Sequence, residues 1–445
     1  MTTINPLVYV LVMVFGSSSW LSTNSVWLEL SLLTQKLPEG WSLPSYLALI
    51  VQIACVGPLI YSVLLKGANI TISAPPVIFV LLAVCTASEF LLAFFWNRTS
   101  VVFGENRSVT LMLFVFVMAL VNSTSNVLFM PYMGAFHPSY LTAYFVGMGF
   151  SSLIPSIVSL AQGLLVFIRK DLNETIGTSE YQCMESNGTF FPKYSPARFH
   201  VREYTIVMGV WMMVALLAFT ILHFFHENLS RRSRSSNEPS SEMESSPLKG
   251  ERVQEQSTTT EQAVIEEEEE DRSGTKRYVI LVVCLALICA EMNAVVPSIQ
   301  SYATMSYSML AYHMALTLSN LAHPLASFLP MWVQPKGVRT LVSLTAFSTV
   351  VCAMIVVLAL QSPTPFLHGS VFGSIFTVVI SIITAFMHAY LRAVLTAVLR
   401  DDAPNNESRL FWCGVYMQVG SFLGSVIMFP LVNVAHLFQS APLCK

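Results

Sequence analysis

Apolar residues along the chain gather in long runs separated by short polar stretches. A helix needs roughly 20 such residues to cross the hydrocarbon of a bilayer. Runs of that kind fall near 7–29, 45–66, 75–96, 109–131, 139–168, 205–226, 277–298, 307–333, 338–361, 368–398 and 409–433. The pattern predicts an all-α, polytopic membrane protein with eleven transmembrane helices. The first run begins close to Met1, yet no charged stretch precedes it and no small-residue cleavage site follows. It is read as a retained helix rather than a signal peptide.

The longest polar interval divides the runs six plus five. Residues 227–276 are rich in Ser, Glu, Thr and Gln and contain five consecutive glutamates, 266–270. Such composition cannot bury enough apolar surface to offset the entropy of ordering. The expected organisation is an N-terminal six-helix bundle over 1–226, a disordered acidic cytoplasmic linker over 227–276, and a C-terminal five-helix bundle over 277–445. No internal repeat is evident, so the two-bundle, carrier-like layout is inferred from the count. Carriers of that plan rock two halves around a central site.

Basic residues set the orientation, because Lys and Arg of short loops stay on the cytoplasmic side. With the N-terminus inside, Arg231, Arg232, Arg234, Lys276, Arg277, Lys336, Arg339, Arg400 and Arg409 all fall inside. Arg169, Lys170, Lys193, Arg198 and Arg202 fall outside, against the rule, in a longer loop. The odd count puts the C-terminus outside. Glycosylation acceptor patterns at Asn97, Asn106, Asn173 and Asn187 then face outward, and those at Asn228 and Asn406 face inward and should stay bare.

Composition sharpens the class. Charged residues make up 11% of the 445 and apolar ones 54%. A soluble domain carries about 25% charged residues, so lipid must replace water over much of the surface. The net charge of −3 provides no basic field for nucleic acid. No metal-ligand spacing and no phosphate-cradling loop stands out, and no cofactor is called for. Six of the eight cysteines lie in the apolar runs; Cys183 and Cys444 fall in extracellular segments, where a disulfide between them is allowed.

Polar groups inside a span are costly and usually face the bundle interior. Trp20, Asn24 and Trp27 recur at helical spacing on one face of the first run, with Glu29 near its outer end. They form either one wall of a binding cavity or an aromatic belt with a helix-bridging amide. Asn122 and Asn126 lie one turn apart in the fourth run. The seventh holds Glu291, Asn293 and Gln300 around Pro297, and the eighth holds Tyr312, His313, Thr317, Ser319, Asn320 and His323. Glu89, His388 and Arg392 are further ionisable groups at membrane depth. Gly420 and Gly424, four apart in the last run, suit close helix packing.

Three stretches resemble one family. Ser19-Trp20, Asn24, Trp27-Leu28-Glu29 and then Leu37-Pro38-Glu39-Gly40-Trp41-Ser42-Leu43-Pro44-Ser45-Tyr46 resemble the opening of the eukaryotic plasma-membrane riboflavin transporters, the solute carrier family 52 type. Ser125-Asn126-Val127 with Phe129-Met130-Pro131 is similar to their fourth span. Gln300-Ser301-Tyr302, Leu310-Ala311-Tyr312-His313 and Pro324-Leu325-Ala326 are similar to their seventh and eighth. Ser31 departs from the family's usual Pro, Thr304-Met305-Ser306-Tyr307-Ser308 from its Cys-Leu-Pro-Tyr-Gly, and His323 from its common Asn. The resemblance implies uptake of riboflavin by alternating access, with no covalent step and riboflavin as cargo rather than cofactor. It also implies, for some members, use as a receptor by a retroviral envelope protein. A flat flavin ring suits aromatic faces, and its imide and ribityl groups suit amides and hydroxyls. Trp20, Asn24, Trp27, Asn126, Gln300, Tyr312 and Thr317 are the expected binding residues; Glu29, Glu291 and His313 are expected to gate or couple. A carrier of another aromatic solute such as a nucleoside, or a cell-surface receptor, are the alternatives.

Overall fold

The computed structural model describes residues 5–55, 57–58, 73–102, 104–134, 138–171, 181–186, 189–194, 198–236, 260–402 and 406–440. The chain begins with α1 (Pro6–Ser17) and α2 (Leu21–Lys36), followed by α3 (Leu43–Ala54), α4 (Ala74–Phe95), α5 (Val109–Gly134), α6 (Pro138–Asp171) and α7 (Val201–Ser236). After the long polar interval come α8 (Thr260–Ala290), a π-helical turn (Glu291–Val295), α9 (Val296–Met305), α10 (Met309–Phe328), α11 (Val338–Leu360), α12 (Val371–Asp401) and α13 (Asn406–Asn433). Two short hairpins, Ser100–Val102 with Glu105–Arg107 and Tyr181–Ser186 with Thr189–Tyr194, lie in the loops.

Over the described residues the expected spans are mainly helical, but they differ in kind, and the second, 45–66, lies largely outside the described residues. Among the described residues seven helices are long and apolar enough to cross a membrane alone, and an eighth if α1 and α2 count as one bent span. The first span is thus not the single straight helix that its pattern suggests. It bends by 52° between α1 and α2. Ser17 and Ser18 turn their hydroxyls back onto the carbonyls of Val14 and Phe15, each at 2.7 Å, where the helix ends. Trp20 then stands at the mouth of α2, outside helical geometry. Helix α10 has 20 residues but misses the apolar threshold; its Tyr, His, Ser, Thr and Asn residues are the reason.

Helices α7 and α8 extend to Ser236 and from Thr260, into the stretch read from sequence as linker. Residues 237–259 lie outside the described residues.

Packing follows from where small residues stand. A Cβ on Gly147 would lie 2.2 Å from the Met13 carbonyl, so α6 crosses α1 backbone to backbone. A Cβ on Gly420 would lie 2.1 Å from the Ala286 carbonyl, and Gly424 meets Ala290, which seats α13 on α8 as the spacing of the two glycines anticipates. Outward, α4, α7, α8, α11 and α12 present Leu91, Phe94, Leu217, Phe224, Val283, Val350 and Phe372, the surface a bilayer covers.

The apolar interior falls into three clusters. One runs through α1 to α7 and takes in Tyr312 and Leu316 of α10. A second joins α8, α11, α12 and α13. The third gathers Trp41 of the Leu37–Ser42 turn with Ile299, Tyr302, Ile355, Val432 and Phe438. It ties the N-terminal helices to the C-terminal ones at one end of the molecule, where Ser301 Oγ donates to the Trp41 carbonyl at 2.7 Å. Asn433 Nδ2 donates to Ser45 Oγ at 2.8 Å, and Tyr46 stands edge-on to Phe429 at the same end.

Candidate functional site

Helix α10 packs on α2 and α6, and α9 packs on α3. These contacts make the seam between N-terminal and C-terminal helices, and polar groups line it. Ser31 Oγ lies 3.2 Å from His313 Nδ1 across the seam. His313 also lies beside the Ser159 backbone, and its Nε2 has no partner in hydrogen-bonding geometry among the described residues. Gln300 Nε2, Tyr312 Oη and Ser319 Oγ on one side, and Ser19 Oγ, Gln52 Oε1 and Ser159 Oγ on the other, are buried with no partner among the described residues. Buried polar atoms are nearly always satisfied in a finished protein. Left unpaired within the protein, these atoms are open to water or to a bound solute.

The expected binding residues are distributed as follows. Trp20 and Trp27 are half-buried against the α1–α7 core. Asn24 Nδ2 donates to the Ser151 carbonyl of α6 at 3.2 Å, an amide bridging two helices and still partly exposed. Thr317 is fully buried and its hydroxyl donates to the His313 carbonyl at 2.8 Å, so it has one oxygen to offer and no spare proton. Asn126 stands on α5, and its side chain lies outside the described residues. No hydrogen bond among the described residues joins Trp20, Asn24, Gln300, Tyr312 and Thr317 to one another.

Glu29 is placed differently from the sequence expectation. Helix α2 continues two turns beyond it, so it is not at the outer mouth but 2% exposed inside the N-terminal helices. It lines a small cavity with Ser25, Trp96, Tyr204 and Thr205; the Gln162 side chain lies beside it, and among the described residues neither carboxylate oxygen has a partner in hydrogen-bonding geometry. One turn away, Ser25 Oγ lies 2.7 Å from the Ser22 carbonyl and 3.0 Å from Glu89 Oε1. The hydroxyl has one proton for two oxygen neighbours, so both contacts become hydrogen bonds only when Glu89 carries a proton. Asn122, on the neighbouring α5, donates to Thr23 Oγ1 at 2.6 Å. It acts as a bridge between helices.

In the C-terminal helices Glu291 Oε2 lies 2.9 Å from His388 Nε2, both buried. Asn293 Nδ2 donates to Ser421 Oγ at 2.9 Å, fixing the π-helical turn to α13. The sequence pattern singles out Glu291 and His388 but does not pair them with each other. It passes over Gln52, whose signal is a lone amide in the apolar stretch Leu47–Ala54.

Of the glycosylation candidates, Asn97 and Asn106 are exposed on and beside the first hairpin. Asn173, Asn187 and Cys444 lie outside the described residues, as does the Cys183 side chain.

An all-helical fold with membrane-length apolar helices, its two sets of helices meeting at a seam bridged by Ser31 and His313, has the layout of a solute carrier. Solved structures agree on the fold. A POT family peptide transporter matches with a TM-score of 0.56 at 10% identity, over 96% of this chain and 90% of that one. A D-xylose-proton symporter matches at 0.53 and 10%, over 97% and 92%. The particular family comes from sequence. The model described as solute carrier family 52, riboflavin transporter, matches residues 4–440. Riboflavin transporter rft-1 of Caenorhabditis elegans is 44% identical over 98% of each chain. Human solute carrier family 52, riboflavin transporter, member 3 is 33% identical over 99% of this chain and 98% of its own. The chain belongs to solute carrier family 52, the riboflavin transporter family, and is a multi-pass transporter rather than an enzyme.

Proposed function

We propose that this protein carries riboflavin into the cell across the plasma membrane by alternating access, with the N-terminus cytoplasmic and the C-terminus extracellular. The observation that carries the proposal is the end-to-end match to transporters bearing that name, at 44% identity. The seam chemistry is compatible with the cargo. Riboflavin is uncharged, with a flat ring, an imide edge and several hydroxyls, and the seam offers indoles, amides and hydroxyls without a cluster of basic groups.

In this reading the six N-terminal and five C-terminal helices are the two rocking units. Trp20 and Trp27 stack on the ring; Asn24, Asn126, Gln300, Tyr312 and Thr317 hold the imide and the ribityl tail. Glu29, Glu291 and His313 serve gating or coupling. The cluster around Trp41 closes the extracellular end, since α2 and α9 reach the Trp41 turn from opposite sides of the seam. Asn97, Asn106, Asn173 and Asn187 carry glycans, and Cys183 pairs with Cys444.

The test is uptake of labelled riboflavin by cells expressing the chain, over a pH series, with excess nucleoside as competitor. Saturable uptake that unlabelled riboflavin suppresses and nucleosides do not is the expected result. Uptake suppressed equally by nucleosides would replace riboflavin with a broader aromatic cargo, and no uptake above control would reject the proposal.

A further inference from the structure

Away from the seam, three side chains with metal-binding chemistry meet inside the C-terminal helices. Glu291 opens the π-helical turn, Cys352 lies on α11 and His388 on α12. The carboxylate oxygen, the sulfur and the imidazole nitrogen all lie within 4.8 Å of one another. Exposure is 5% for Glu291, 2% for Cys352 and 1% for His388, so this is not a surface coincidence of acidic groups.

The donor set is specific. Thiolate, imidazole and carboxylate are the ligands of zinc-class ions. Tetrahedral bonds of about 2.0–2.3 Å set such ligand atoms roughly 3.3–3.7 Å apart, so closing round an ion asks for shifts on the order of 1 Å or less. Charge also balances. A divalent ion with one thiolate, one carboxylate and one neutral imidazole sums to zero, the condition a low-dielectric interior favours.

Two further observations point to a ligand. Thr384 is one turn before His388 and Ser348 one turn before Cys352, hence on the same helix faces. Both hydroxyls are buried and without a partner among the described residues. The first donor sits at the start of a π-helical turn, a distortion that concentrates at functional sites.

We propose that Glu291, Cys352 and His388 form a binding site for a zinc-class divalent cation, joining three separate elements of the C-terminal helices. A Glu–His pair that only shares a proton is the rival, and it would hold no metal.

The experiment uses the purified full-length protein, titrated with Co²⁺ without riboflavin, so its outcome is independent of the transport proposal. The expected result is one equivalent of Co²⁺ with a thiolate charge-transfer band, displaced by Zn²⁺. Cys352→Ser should abolish the band, His388→Gln should weaken binding at least about tenfold, and Cys85→Ser should change nothing. Cys352→Ser is nearly isosteric, so it keeps the test alive if His388→Gln misfolds. Absence of the band in the parent protein, or a band that survives Cys352→Ser, overturns the proposal.

Discussion

Ser301→Ala removes one hydrogen bond from the end of the molecule held by Trp41. The hydroxyl reaches the Trp41 carbonyl at 2.7 Å in a buried setting, so the bond forms only while the two sets of helices are together. Once that end opens, water replaces it. The variant therefore destabilises the closed arrangement and leaves the open one nearly unchanged. A net contribution of about 0.5–1.5 kcal/mol converts to a 2- to 13-fold shift towards opening. Thr34→Cys supplies a reporter, because Thr34 is 4% exposed and contacts Met305 across the same seam. A membrane-impermeant maleimide added outside should label the double variant about 2- to 13-fold faster than Thr34→Cys alone, at equal surface expression. Equal labelling rates would refute the reasoning: the Ser301–Trp41 bond would then survive opening, and the closure would lie elsewhere.

Asn24→Ala should weaken riboflavin binding by roughly 5- to 150-fold in a filter-binding assay, the consequence of leaving about 1–3 kcal/mol of polar group unpaired; parent-like affinity would reduce this amide to a helix bridge. Trp20→Phe should lose less affinity than Trp20→Ala, since a ring remains to stack, and equal losses would remove Trp20 from the ring site. Glu29→Gln should flatten the pH dependence of uptake while sparing binding, and an unchanged pH profile would end its coupling role. Glu39→Ala should lower the melting temperature of the purified protein, because Glu39 accepts hydrogen bonds from both the Ser108 amide and hydroxyl at 2.7 Å; an unaltered melting curve would show that water caps α5 equally well.

Much of the architecture was legible because apolar runs of bilayer length have few alternatives. The polarity of α10 was visible as well, since Tyr312, His313 and Thr317 interrupt an otherwise apolar helix. The break at Trp20 was harder to read. Its cause is serine hydroxyls returning to their own helix, and serines do that in straight helices too. Glu29 looked terminal because a charge ordinarily closes an apolar run, but Leu30, Leu32 and Leu33 carry the helix onward to Lys36. Pairing of Glu291 with His388 spans 97 positions and depends on how α12 and the π-helical turn are rotated by packing, which no local pattern encodes. The same holds for Ser31 and His313, one on each side of the seam.

The Leu37–Tyr46 stretch that made the family recognisable contributes no group to the expected cargo contacts. Its Glu39 caps α5, its Trp41 carbonyl accepts a hydrogen bond from Ser301, and its Ser45 hydroxyl accepts one from Asn433. A clasp of this kind constrains how a carrier shuts, whatever it transports. A redesign for a different cargo could rewrite the seam and leave the clasp untouched.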